Sequence, residues 1–223
     1  MTVHEDMDVL SRAVALRIAE LADQAIAARG VFSIALAGGQ TPRLCYEYLR
    51  ELTVDWAHVQ VVFGDERCLP VGDANRNDTM AYHALLNHIQ IPAANIHAVQ
   101  AELGAAAAAL KYAAVIAPIL PLDLALLGLG EDGHTASLFP DNPAIESDAS
   151  VVAVYDAPKA PPERVSLGLS SLNAARTKLF IASGEGKREA LTHIAQGALL
   201  PAAQVIGAEW HLDRAAWPGE VDL

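Results

Sequence analysis

Four short apolar runs in this chain each end in a polar loop that carries glycine. VFSIALA (31–37) runs into GGQTP, VQVVF (59–63) into GDER, LDLALLG (122–128) into LGEDGHT, and KLFIAS (178–183) into GEGK. Runs with so little polar alternation suit strands buried on both faces, and such strands belong to parallel sheets covered by helices. Helical patterns lie between them. Leu10, Val14, Ile18, Leu21 and Ile26 recur near helical spacing, with Gly30 where a C-terminal cap belongs. Thr41 and Pro42 read as N-cap and first residue of the helix PRLCYEYLREL. Further helices are expected around residues 78–88, over the alanine-rich AELGAAAAALKYAAVIAPIL, and in GEGKREALTHIAQ.

SVVAVY and RVSLGL read as additional strands, AQVIGAEWHLD as one or two more, and RAAW as a short helical turn. The alternation predicts an α/β fold: an open, mostly parallel twisted sheet with helices on both faces. No linker separates domains, so one domain is expected over residues 1–223. The proline-rich stretch 155–163 reads as a loop or lid.

No apolar run approaches the ~20 residues that cross a bilayer, and the acidic N-terminus MTVHEDMDVLSRAV lacks a signal-peptide pattern. Cys45 and Cys68 match no metal spacing and read as reduced thiols of a cytoplasmic protein. A net charge of −12 argues against nucleic acid and anionic membranes as partners. A small anion is still admissible, because a few cations converging on one pocket make it locally positive. A monomer or small homo-oligomer is expected.

In sheets of this kind, ligands bind beyond the carboxyl ends of the strands, where the four glycine-bearing loops meet. The paired glycines Gly38 and Gly39, with Gln40 and Thr41, open a helix whose N-terminus suits an anion. Asp65, Glu66 and Arg67 follow the next strand. Arg67 is suited to a phosphate or carboxylate, with one of the acids holding it. Gly128, Gly130 and Gly133 spell G-x-G-x-x-G, but Pro140 and Pro143 leave no room for the helix a dinucleotide needs. What remains there is His134 behind Asp132 and Gly133, a general-base candidate with a carboxylate able to fix its tautomer. No second histidine has metal-ligand spacing, and His83 and His88 read as surface residues of a helix. Lys187, in the first turn of a helix, opposes the helix dipole unless an anion binds there.

FGDERCLP followed by Asn77, LLGLGEDGHTASLFP, ERVSLGLSSLNAA and SGEGKREAL together resemble the 6-phosphogluconolactonase family in order and spacing. ALAGGQTP and AEWHLDRAA fit as well, so the resemblance spans nearly the whole chain, and DGHTASLFP is its most specific block. The resemblance implies the fold shared by ribose-5-phosphate isomerase and glucosamine-6-phosphate deaminase. It implies hydrolysis of a phosphorylated sugar lactone, 6-phosphoglucono-δ-lactone, in the pentose phosphate pathway, with no metal and no organic cofactor. His134 corresponds to the catalytic histidine with Asp132 beside it, Arg67 to the active-site arginine, and Lys187 to the phosphate-binding lysine. Gly38, Gly39 and Thr41 correspond to the glycine–threonine turn. Arg164 fills the arginine of the R-[IV]-[ST]-L strand and is expected to face the same pocket.

The family's SGGSTP is AGGQTP here, so Gln40 and backbone N–H groups are expected to replace a serine hydroxyl. Asp65 and Gly133 complete the expected substrate contacts, with N–H groups near Gly133 or Arg67 stabilising an oxyanion. Two other readings stay open. A deaminase of the related family carries glutamate in the block DGHIAFNEP, at the position of Phe139 here. A sugar-phosphate sensor on the same fold would bind without turnover.

Overall fold

The computed structural model describes residues 1–219; the last four residues of the expected domain lie outside them. In chain order the strands are β1 (Thr2–His4), β2 (Phe32–Leu36), β3 (Val59–Phe63), β4 (Asp65–Arg67), β5 (Ile96–His97), β6 (Leu124–Leu127), β7 (Val151–Val154), β8 (Arg164–Leu167), β9 (Thr177–Ala182) and β10 (Glu209–Asp213). The α-helices are α1 (Met7–Arg29), α2 (Gln40–Leu49), α3 (Asn77–Ala84), α4 (Ala105–Ile116), α5 (Leu169–Ala174) and α6 (Arg188–Ala195).

Seven strands form one sheet in the order β1-β10-β9-β6-β2-β3-β5, and every neighbouring pair is parallel. Every residue of β2 and β6 is buried, as their apolar sequences require. From β2 the chain crosses to β3 on one side. From β6 it proceeds to β9 on the other. Right-handed crossovers running in opposite directions put their helices on opposite faces. Accordingly α1 packs on α2 and α2 on α3, while α4 packs on β7 and β8. The reversal makes the carboxyl ends of β2 and β6 the crevice where ligands collect in such sheets.

Local chemistry sets the helix ends. Asp6 caps α1 by accepting the Val9 N–H at 2.9 Å, and Gly30 closes it in the left-handed conformation, donating to Ile26 O. Helix α2 starts at Gln40, earlier than Thr41-Pro42 suggests. Gly39 makes the turn with φ 111°, a conformation glycine adopts freely, so Thr41 already lies in the first turn. Gly104 separates a 3₁₀ turn at Ala101–Leu103 from α4, shortening the alanine-rich helix. Arg214 to Ala216 form a turn rather than a helix.

The polar stretch after β3 is not all loop. Asp65–Arg67 turns away at Gly64 and pairs antiparallel with β8, whose other neighbour is β7, giving a second sheet of three strands. That sheet rests on a buried ion cluster. Arg76 donates Nε and Nη2 to both oxygens of Asp78 at 2.9 and 2.7 Å, and it also reaches Leu69 O, Val99 O and Glu102. Beside it, fully buried Glu66 accepts the N–H groups of Arg67, Asn77 and Asp78 at 2.7–2.8 Å. Burial pushes the Glu66 carboxyl up to about 7, against those donors.

Replacing Arg76 with methionine leaves Asp78 and Glu66 without their cation. Urea unfolding is expected to show a loss of about 3–5 kcal/mol, the usual cost of breaking a buried pair. A loss within the range of an exposed pair, below about 1 kcal/mol, would mean that the cluster carries no such weight.

Candidate active site

Loops leaving β2, β3, β6 and β9 meet over the crevice and enclose a cavity of about 380 Å³. Gly38, Gly39, Asp65, Arg67, His134, Arg164 and Lys187 line it, joined by Asn77, Phe139 and Lys159. The expected convergence of the loops is present.

The loop after β6 is built around one side chain. Gly130 donates to His134 O at 2.8 Å, Gly133 donates to Gly130 O at 3.1 Å, and Thr135 Oγ1 donates to Gly128 O at 2.9 Å. Asp132 Oδ1 accepts the His134 N–H at 3.2 Å and also forms a short hydrogen bond with Nδ1 of the ring. A side chain at Gly130 would run into the imidazole and the Asp132 carboxylate. The glycine spacing that imitates a dinucleotide fingerprint therefore makes room for the histidine.

With Nδ1–H donated to a carboxylate, a neutral imidazole carries its lone pair on Nε2. Nε2 has no partner among the described residues. Phe139 covers the ring from the side, with centroids 4.5 Å apart. Burial by itself raises the Asp132 carboxyl; the hydrogen bond and charge of His134 outweigh it and leave the group at about 2.

The cations are arranged differently. Arg67 donates Nη1 to Asn75 O at 2.6 Å, and its buried Nε lacks a partner among the described residues. Lys187 follows Gly184 in a 3₁₀ turn, Glu185–Lys187, that leads into α6; it makes no ion pair among the described residues, and burial lowers its pKa. Arg164 reaches the cavity, but Nε and Nη2 are spent on Pro161 O (3.1 Å), Lys159 O (2.9 Å) and Ala160 O (3.3 Å). Its guanidinium lies over Phe139, 5.6 Å from the ring centroid. Asp65 is held by Ser137 Oγ at 2.5 Å and by Asn77 Nδ2 at 3.0 Å.

Three expected contacts lie elsewhere. Gln40 and Thr41 do not line the cavity, because Gly39 makes the turn and puts both inside α2; the Thr41 hydroxyl faces Met7 Sδ at 4.0 Å. Among the described residues no side chain caps α2, which leaves its first N–H groups open beside Gly38 and Gly39. Gly133 is buried behind the turn, its N–H spent on Gly130 O and its carbonyl accepting from Ala202, so it offers no oxyanion donor. His83 and His88 are exposed, and both cysteines are free. Lys159 is the charged lining residue that the sequence does not single out: it sits in a proline-rich stretch with no periodic or motif signal. Among the described residues no group of three or more histidine, cysteine or acidic side chains has metal-site geometry, and no helix is long and apolar enough to cross a membrane.

Residues 5–217 match the family model for glucosamine-6-phosphate isomerases/6-phosphogluconolactonase. A 6-phosphogluconolactonase of Mycobacterium tuberculosis is 38% identical over 235 residues, covering 96% of this chain and 95% of the relative. The crystal structure of 6-phosphogluconolactonase from Thermotoga maritima superposes with a TM-score of 0.89 at 29% identity, covering 96% of this chain and 98% of that one. A monomeric glucosamine-6-phosphate deaminase shares the fold, with a TM-score of 0.82 at 20% identity over 96% of this chain and 97% of that one.

The His134 pairing has a pH signature. A carboxyl depressed to about 2 stabilises the fold above its ordinary 3.8, and that contribution is lost as pH falls through 2. In His134→Ala the hydrogen bond and charge of the ring are gone while the backbone N–H donors stay, so the Asp132 carboxyl is expected to titrate higher than about 2, followed by carbon NMR of its carboxyl. A value still near 2 would mean that His134 is not what depresses it.

Proposed function

The chain belongs to the glucosamine-6-phosphate isomerase/6-phosphogluconolactonase family, and from that membership we infer that it hydrolyses 6-phosphoglucono-δ-lactone to 6-phosphogluconate, a step of the pentose phosphate pathway. The observation that carries the mechanism is the His134–Asp132 pair, its free Nε2 at a cavity ringed by cations in a chain of net charge −12.

His134 Nε2 takes a proton from water as the water oxygen bonds to the lactone carbonyl carbon. The tetrahedral oxyanion is met by Arg67, since the N–H groups of Gly130, Gly133 and His134 are already spent. Collapse breaks the bond to the ring oxygen, which leaves with the proton held on His134; the new carboxylic acid then ionises. Asp132 holds the ring in the Nδ1–H tautomer throughout. The phosphate sits against the open N-terminus of α2 and Lys187, and binding so far from the carbonyl fixes the reacting carbon. Phe139 supports hydrolysis over deamination, because an apolar ring stands where the deaminase block carries its glutamate.

The test is lactone disappearance above the spontaneous rate, with the lactone generated in situ. His134→Ala is expected to lower kcat by about 10²–10⁴. Wild-type binding of 6-phosphogluconate without turnover would make the protein a sensor. Asp132→Asn, which keeps shape but loses the tautomer lock, is expected to lower kcat by about 10²–10⁴ with KM little changed; retention of full kcat would remove Asp132 from the mechanism.

Lys187 supplies a pH test of the phosphate site. Its lowered pKa means that the charge disappears, as pH rises, earlier than on a free lysine. Affinity for 6-phosphogluconate, measured by calorimetry, should therefore weaken on the alkaline side in wild type and hold in Lys187→Arg. Identical alkaline profiles for the two proteins would exclude Lys187 as the titrating ligand.

A further inference from the structure

We propose that Lys159 is a second phosphate-binding ammonium, carried to the cavity by the strap between β7 and β8. The proposal rests on the reading of Lys187 as a phosphate ligand and extends that site.

Lys159 lines the cavity together with Lys187, yet its ammonium makes no hydrogen bond or ion pair among the described residues. The backbone beneath it is fixed. Arg164 donates to the carbonyls of Lys159, Ala160 and Pro161, Ala157 N–H reaches Pro162 O at 3.0 Å, and Asn142 Nδ2 holds Tyr155 O at 2.8 Å. The far end of the strap is tied by Cys68 N–H to Glu163 O at 3.1 Å. Only the flexible part of the lysine is left to move.

The two ammoniums are close enough to feel each other. Burial lowers Lys187 most, and after the opposing effect of Glu131 the charge of Lys159 lowers it further. Like charges lining one cavity suit a ligand that carries more than one negative charge. A phosphate monoester is such a ligand, nearly doubly charged at neutral pH. The lactone ring has no charge of its own, so Lys159 has nothing else on the substrate to pair with before hydrolysis. In this account Arg164 is a positioning residue: it spends two of its nitrogens on the strap and so delivers a different cation.

The experiment compares wild type, Lys159→Ala and Lys159→Arg for KM and kcat with the lactone, for 6-phosphogluconate affinity by calorimetry, and for competitive inhibition by inorganic phosphate. Lys159→Ala is expected to raise KM, the 6-phosphogluconate Kd and the phosphate inhibition constant together, by roughly tenfold or more. Its kcat should fall by less than KM rises, because the α2 N-terminus and Lys187 still hold the phosphate, and Lys159→Arg should recover most of the affinity. An alanine variant with unchanged KM and Kd overturns the proposal, as does a loss confined to kcat. A wild-type protein that neither hydrolyses the lactone nor binds 6-phosphogluconate overturns the functional reading itself, and this proposal with it.

Discussion

Strands β2 and β6 lie side by side at the centre of the sheet, and the chain leaves them in opposite directions. That divergence opens the crevice into which every loop of the site projects. Because all seven strands are parallel, each delivers its following loop to the same end. The open N-terminus of α2 arrives from β2, the imidazole from β6, and Lys187 from β9. The small sheet of β4, β7 and β8 adds Arg67 and the strap from the side.

Charge is used economically. Of 15 lysines and arginines, Arg67, Lys159, Arg164 and Lys187 line one cavity, while the molecule as a whole is acidic. An acidic exterior around a cationic pocket favours a small anion over an extended one such as nucleic acid. Within the pocket the acids are already engaged: Asp65 with Ser137 and Asn77, Asp132 with His134. The cations are thereby left to the ligand, and the histidine keeps one nitrogen for water.

Much of this is legible in the sequence, and the exceptions share a cause. Mostly apolar runs announce β2, β3, β6 and β9, and the glycine-bearing loops after them mark the end where the site lies. Strands β1, β4 and β5 have two or three residues each, too few for any periodicity to register. VVAV and RVSL read as strands, but nothing in their pattern says that they leave the main sheet to pair with Asp65–Arg67. The role of Gly130 is invisible in one dimension, since it depends on where the imidazole returns. Thr41 lies outside the cavity for a related reason: Gly39 starts the helix two residues sooner than the Thr-Pro signal suggests. Arg164 is correctly expected near the pocket, while its use of backbone carbonyls, and with it the role of Lys159, needs the fold.

The mechanism requires one orientation of the ligand: reacting carbon at His134, phosphate between α2 and Lys187. A crystal structure of the complex with 6-phosphogluconate tests it most directly. The new carboxylate is expected within about 2.6–3.2 Å of His134 Nε2, beside Arg67, and the phosphate against the Gly38–Gly39 turn and Lys187. A ligand bound the other way round, with its phosphate on the histidine, would contradict it.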